Sequence, residues 1–285
     1  VNLVNPIGAQ GIDWETNVDV ALSVLSEIAR SAIQAGLNNI SGGASGGGGL
    51  LASLGALLGN ALGAPGRSVA FSVPTGNFGD IFAGYLASQM GLPIERLIIA
   101  TNRNDVLHRV MSNGSYGRQP LEHSLSPSMD ITVSSNFERL LFDLYERDGA
   151  SIAQLMADFD QGDISFSQQA MAKASALFSS QCVNDAETCA QMAATWKDCE
   201  YMLDPHSAIG VKAAFDAKVP ASVPVVTLAT AHPAKFPGAV KAAKLDTEPS
   251  LPHHLRDLFD RPERFEVLPN DLSAVQAFML KNVNA

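Results

Sequence analysis

Basic residues are scarce in this chain: 19 Lys and Arg stand against 29 Asp and Glu, a formal net charge of −10. That balance argues against a nucleic-acid partner, because a phosphate backbone is gripped by basic faces. It leaves an anionic small ligand open, since one pocket can be locally positive on an acidic surface. Only 17% of residues are charged and 46% are hydrophobic. Large disordered tracts are thereby excluded outside one glycine-rich run, and the core suffices for one or two domains. Cysteine is nearly lacking, with Cys182, Cys189 and Cys199 the three present. An odd number without paired-ligand spacing argues against a disulfide framework and a metal site, and reads as reduced thiols in a cytoplasmic protein. No basic segment precedes an apolar run at the start, so no signal peptide is expected. The apolar stretch Leu50 to Ala64 is interrupted by Gly55, Gly59 and Gly63. It is too short to span a membrane, so no membrane partner is expected.

Two textures follow one another along the chain. Residues 1–67 hold a helical pattern over Asp19 to Leu37, then the low-complexity run Ser41 to Gly49, which reads as a flexible linker. From Ser68 strand and helix patterns alternate. Strands are expected at 68–73, 97–101, 130–133 and 223–229. Helices are expected at 80–90, 135–147, 151–160, 167–178, 186–198 and 207–217, with a last amphipathic helix from Asp271 to Leu280. The region 140–200 reads as a helical excursion that carries the three cysteines. Such alternation implies an α/β fold, a parallel sheet with helices on both faces. Pro224 lacks an N–H for the ladder and belongs at the very start of its strand.

The densest signal is Ser72-Val73-Pro74-Thr75-Gly76-Asn77-Phe78-Gly79-Asp80, a strand running into a glycine-bounded turn and then a helix. The N-terminus of a helix offers unpaired N–H groups and partial positive charge, a seat for an anion. Asp80 stands where an N-cap is expected. The loop lacks the Gly-Lys-Ser/Thr ending of a nucleotide P-loop, so a small phosphorylated cofactor is the better reading.

That wording resembles the phosphate loop of the threonine synthase family. Further blocks extend the resemblance over about residues 68–240: Ile98 to Arg109, Ser126 to Ile131, Ser134 to Leu141, Leu203 to Gly210, and Thr230 to Phe236. The resemblance implies a fold-type II pyridoxal-phosphate enzyme, tryptophan synthase β-like, with its site between two α/β domains. It implies conversion of O-phospho-L-homoserine and water to L-threonine and phosphate by a lyase of threonine biosynthesis, as a monomer or homodimer. Residues 1–67 then form an atypical N-terminal segment, and 68–285 an α/β domain that binds pyridoxal 5'-phosphate.

By motif match, Gly76, Asn77, Phe78, Gly79 and Asp80 hold the cofactor phosphate, and the Thr230 hydroxyl faces the pyridine nitrogen. A neutral hydroxyl there leaves the nitrogen largely unprotonated and damps the electron sink. Asn102, Asn104, Asp105 and His108 form a polar strand end, where open α/β sheets place ligands. Arg109, Ser126, Asp130 and Arg139 are the candidates for the substrate, the arginines because a guanidinium fork suits a phosphate. Each arginine also fits a surface ion pair. Asp204, Pro205, His206 and Ser207 read as a helix entry.

One departure from the family is plain. Its Schiff-base lysine lies upstream of the glycine loop, yet this chain has no lysine before Lys173. Asn17 to Leu22 partly echoes the family's lysine setting, with Val18 standing where lysine would be. Valine forms no imine, so the catalytic lysine is not found. The family match of Lys235, near the expected pocket, is a different residue. Two readings stay open: a threonine synthase, incomplete or recombined, or a noncatalytic protein that binds pyridoxal phosphate or a phosphorylated amino acid.

Overall fold

In the computed structural model the described residues are 2–4 and 68–283. The strands are β1 (Asn2–Val4), β2 (Val69–Pro74), β3 (Ile94–Thr101), β4 (Ser115–Tyr116), β5 (Ile164–Ser165), β6 (Phe178–Cys182) and β7 (Val225–Thr227). The helices are α1 (Gly79–Gln89), α2 (Val106–Asn113), α3 (Phe137–Leu144), α4 (Gly149–Gln161), α5 (Gln168–Leu177), α6 (Asp185–Cys199), α7 (Pro205–Asp216), α8 (Pro237–Ala242) and α9 (Leu272–Val283). The chain divides into two compact units, one ending at Pro249 and the other starting at Ser250.

In the first unit a sheet of order β1-β7-β2-β3-β6 is parallel throughout, except for β1, which runs antiparallel on β7. Its centre reads as an unbroken apolar run because both faces are covered. Successive residues of β3 show why. Leu97 and Ile99 enter one core with Phe78, Ile81, Val110, Tyr116 and Phe137, whereas Ile98 and Ala100 enter another with Ile209 and Ala213. The period-two alternation of a strand thus feeds a helical layer on each side.

Helix α7 comes very close to the sheet. The Ser72 hydroxyl donates to the Gly210 carbonyl at 2.6 Å. A Cβ on Gly210 would stand 2.8 Å from Thr227 Cγ2 and 3.0 Å from Pro74 Cγ. Glycine is required here by proximity. Pro224 stands just before β7, where its carbonyl accepts the Ala70 N–H at 2.9 Å. That is the placement its missing donor requires.

Three expectations are corrected. Residues 130–133 form no strand, because Asp130 is drawn into a polar clasp with Asn102, Asn104 and Ser124. The helical excursion contains β6, which extends the sheet beside β3, so Cys182 lies on a strand. Phe178 ends the expected helix because its ring packs into the core against Phe78. The polar segment after β3 turns into α2, whose Val106, Leu107 and Val110 are buried.

The second unit holds short 3-10 turns at His253–Leu255 and Leu258–Asp260, and then α9. The Asp271 carboxylate accepts the Ala274 N–H at 2.8 Å, capping that helix near its expected start. Among the described residues no helix is long and apolar enough to cross a membrane. The readings made for the glycine-rich run, the 19–37 helix and Val18 lie outside the described residues.

Candidate functional site

The loop after β2 leaves the sheet at its carboxyl end, held by the Thr75 N–H on the Ala100 carbonyl at 2.8 Å. The residue before α1 is Phe78, in the left-handed region at φ 67 and ψ 7. A non-glycine residue there costs roughly 1–2 kcal/mol. Its ring is 1% exposed and packs edge-on to Phe137, with centroids 5.2 Å apart. Burial of the ring offsets the backbone cost, so the aromatic anchor shapes the turn. The first bond of α1 runs from the Phe82 N–H to the Phe78 carbonyl at 3.1 Å. The N–H groups of Gly79, Asp80 and Ile81 therefore precede the ladder, at the positive end of the helix.

Asp80 is corrected by this geometry. It lies inside the first turn, is exposed and caps nothing; Phe78 holds the N-cap place without a side-chain cap. Phe78 for its part can reach an anion only through its backbone. A cavity of about 220 Å³ lies over the loop, lined by residues 73–81 and Asn136. The segment before α3 buttresses it. The Ser134 hydroxyl donates to the Gly76 carbonyl at 2.9 Å, the Asn136 N–H to the Asn77 carbonyl at 3.1 Å, and the Ser135 hydroxyl to Asn77 Oδ1 at 3.2 Å. These three supports were legible only as members of a resembling block, because nothing in their spacing says that they touch the loop.

Beside the loop, at the end of β3, Asn102 is the hub of a buried clasp. Its amide nitrogen donates to Asp130 Oδ1 at 2.7 Å, to the Ser124 hydroxyl at 2.8 Å and to the Ser126 hydroxyl at 3.0 Å. Asp130 also accepts from Asn104 at 3.0 Å and from the Ser124 N–H at 3.0 Å. Ser126 is fully buried. Ser126 and Asp130 thus hold two loops together rather than face an open cavity.

Arg109 is half-buried. Its Nε donates to Asp105 at 3.0 Å and one terminal nitrogen to the Gly117 carbonyl at 2.8 Å. It lines a cavity of about 440 Å³ with Arg103, Asn104, Gln119 and Thr132. Arg103 adds a second guanidinium there, paired with Asp185 at 3.0 Å. Arg139 is placed elsewhere, on an apolar groove with Phe82, Leu86, Phe142 and Ile152. His108 lines neither cavity. Its Nδ1 lies 2.9 Å from the Ser180 hydroxyl of β6, and burial lowers its pKa below 6.5 against the opposing pull of Asp105. Burial likewise pushes the Cys182 thiol up, which keeps it protonated.

At the same end of the sheet lie the start of α7 and the segment after β7. Ser72 pairs with Thr227 across the sheet, so Thr230 leaves β7 at about the level where Thr75 leaves β2. Thr230 is exposed, and its N–H donates to the Ser207 hydroxyl at 3.1 Å. Ser128 meets the loop directly: a Cβ on Gly76 would lie 3.1 Å from the Ser128 carbonyl oxygen. Loop, clasp and α7 therefore converge at the carboxyl ends of β2, β3 and β7, where open α/β sheets bind ligands. Lys235 is exposed at the end of the same segment, its Nζ 5.7 Å from the centroid of Phe236.

The family model described as "Threonine synthase, C-terminal" matches residues 207–279. Threonine synthase of Pseudomonas aeruginosa is 57% identical over 224 residues, covering 78% of this chain and 48% of that protein. The Methylobacillus glycogenes threonine synthase is 39% identical over 223 residues, covering 76% of this chain and 46% of that protein. Among solved structures, the PLP-bound threonine synthase from Brucella melitensis superposes with a TM-score of 0.75 at 43% identity. That match covers 91% of this chain and 58% of the other. Yeast threonine synthase follows with a TM-score of 0.69 at 34% identity, over 76% of this chain and 48% of that one. The chain spans about half the length of the curated relatives it matches.

Proposed function

This chain belongs with the threonine synthases over the span that matches them, and from that premise we propose that it supplies the phosphate-binding part of a pyridoxal-phosphate site for O-phospho-L-homoserine. The reaction is O-phospho-L-homoserine and water to L-threonine and phosphate. The observation that carries the reading is the loop cavity at the positive end of α1, walled by Gly76 to Gly79 and buttressed by Asn136.

The residues present suit the phosphate and the ring. A cavity of about 220 Å³ over free helix N–H groups accepts a phosphate. A neutral threonine in the segment after β7 can meet a pyridine nitrogen without protonating it. When bound, the cofactor supplies an electron sink for carbanion chemistry at the substrate's α-carbon. The chain's own residues bind and orient. The loop takes the cofactor phosphate, Thr230 sets the ring, and Arg109 beside Asn104 takes the substrate phosphate in the neighbouring cavity. Ser126 and Asp130 keep that cavity's wall in register through Asn102.

One observation favours a second reading. Among the described residues no lysine lines the loop cavity or the Arg109 cavity. A protein that binds pyridoxal phosphate or a phosphorylated amino acid without turnover fits that arrangement. Pyridoxal phosphate titration followed by borohydride reduction and peptide mass mapping separates the two. A reduced adduct on one lysine supports a site with covalent competence. Saturable binding without an adduct supports the noncatalytic reading, and absence of binding overturns both for this chain.

A further inference from the structure

Asp204, His206 and Ser207 carry more hydrogen bonds than a helix start requires. They are 1%, 3% and 2% exposed, so the carboxylate must be fully partnered to be tolerated. Asp204 Oδ1 accepts the His206 N–H at 2.9 Å, which is the ordinary capping bond. The same oxygen also lies 2.8 Å from His206 Nδ1, while Oδ2 accepts the Ser207 hydroxyl.

The proton positions along this chain are dictated by its two ends. The Ser128 N–H can only donate, and it lies 3.2 Å from His206 Nε2. Nε2 is therefore the acceptor, the ring is the neutral tautomer with its proton on Nδ1, and that proton goes to Asp204. At the other end the Thr230 N–H can only donate, to the Ser207 oxygen at 3.1 Å. Ser207 must then direct its own proton to Asp204. A continuous chain runs Ser128, His206, Asp204, Ser207, Thr230, and each terminus is a backbone amide of a loop at the carboxyl end of the sheet. The Phe236 ring closes one side of His206, with centroids 4.6 Å apart.

Thr230 depends on this chain because the sheet no longer holds it. Strand β7 ends at Thr227, and the following bond to β2 is from the Leu228 N–H to the Ser72 carbonyl at 3.0 Å. The geometry points to Asp204, His206 and Ser207 as positioning residues. They fix the Thr230 backbone and tie it to the Ser128 turn beside the phosphate loop. This inference rests on the cofactor reading above for its chemical meaning, and on the hydrogen bonds alone for its mechanics.

The test compares wild-type, Ser207→Ala, Thr230→Val and the double variant of the full chain, by pyridoxal-phosphate affinity, with inorganic phosphate as the loop probe. Ser207→Ala is expected to weaken pyridoxal phosphate about tenfold and leave inorganic phosphate unchanged. The double variant is expected to be no weaker than Thr230→Val alone, because Ser207 acts through Thr230. Additive losses, or an equal loss for inorganic phosphate, would overturn the assignment. A ligand-free measurement keeps it distinct from the cofactor reading. Amide exchange at Thr230 is expected to speed about tenfold in Ser207→Ala while β3 amides hold. Unchanged exchange sinks the relay even where the cofactor binds, whereas faster exchange without cofactor binding sinks only the cofactor reading. Asp204→Asn, which keeps shape and one acceptor, serves if Ser207→Ala does not fold, with the same expected directions.

Discussion

At the residue scale, Phe78 reverses a common rule of loop design. Glycine at both ends of the turn suggests that glycine supplies the left-handed geometry, yet the left-handed residue is the phenylalanine between them. Its ring is buried against Phe137 and Phe178. Phe78→Ala is expected to cost about 3–5 kcal/mol in chemical denaturation, from the lost ring and the cavity it leaves. Phe78→Gly is expected to cost roughly 1 kcal/mol less than Phe78→Ala, because glycine carries no left-handed penalty. Equal losses would show that the turn relaxes once the ring is gone.

His108 yields a pH prediction at the same scale. Burial holds its folded pKa below 6.5, so the unfolded chain takes up the proton more readily. Stability is then unaffected above that value and falls as pH drops through it. Between about pH 7.5 and 5.5 the wild-type melting midpoint is expected to fall more than that of His108→Gln, measured in parallel. Identical slopes would mean that His108 is solvated and its contact with Ser180 is loose.

At the scale of elements, α7 is the piece on which the site turns. Its burial on nearly every face erases the amphipathic pattern, and eight of its residues are buried. Sequence periodicity therefore says that a helix is present but not which side faces the sheet. Gly210 answers that, since it faces Pro74 and Thr227. Gly210→Ala is expected to cost about 1–3 kcal/mol in thermal or denaturant unfolding. It is also expected to weaken pyridoxal phosphate, because Pro74 directly precedes the loop. An alanine variant with full stability and affinity would show that α7 can back away without moving the loop.

The elements also show where periodicity loses its force. The segment 130–133 carries Ile131 and Val133 and looks like a strand, but Asp130 is claimed by donors from 102 and 104. Strand β6, with Ser179, Ser180 and Gln181 between Phe178 and Cys182, looks polar for a strand. It is stabilised by pairing with β3 and is an edge among the described strands, where polar residues are tolerated. Neither outcome is local, so neither could be read from a window of sequence.

At the scale of the whole molecule, the converging loops predict a linked equilibrium. A ligand that binds only the folded state stabilises it by mass action, about 2.7 kcal/mol at a hundredfold excess over Kd. Pyridoxal phosphate is therefore expected to raise the melting midpoint in a saturable manner, read by calorimetry or fluorescence. A midpoint indifferent to the cofactor would mean that the cavity over α1 does not close on it.

The amino-acid order carries the parallel α/β plan, because alternation and turn chemistry act over a few residues at a time. It also determined the loop at Thr75 to Gly79, the pre-strand place of Pro224, and the absence of any lysine before Lys173. Which of the polar residues share a site depends on how the chain folds back on itself. Asn102 meets Asp130, and Ser128 meets His206, across separations of 28 and 78 residues. Ser207 reaches Thr230 only because α7 lies against β7, and Arg139 points to a groove away from the loop. Such contacts depend on how helices pack on a sheet, and packing is set by the summed burial of distant side chains rather than by the spacing of neighbours.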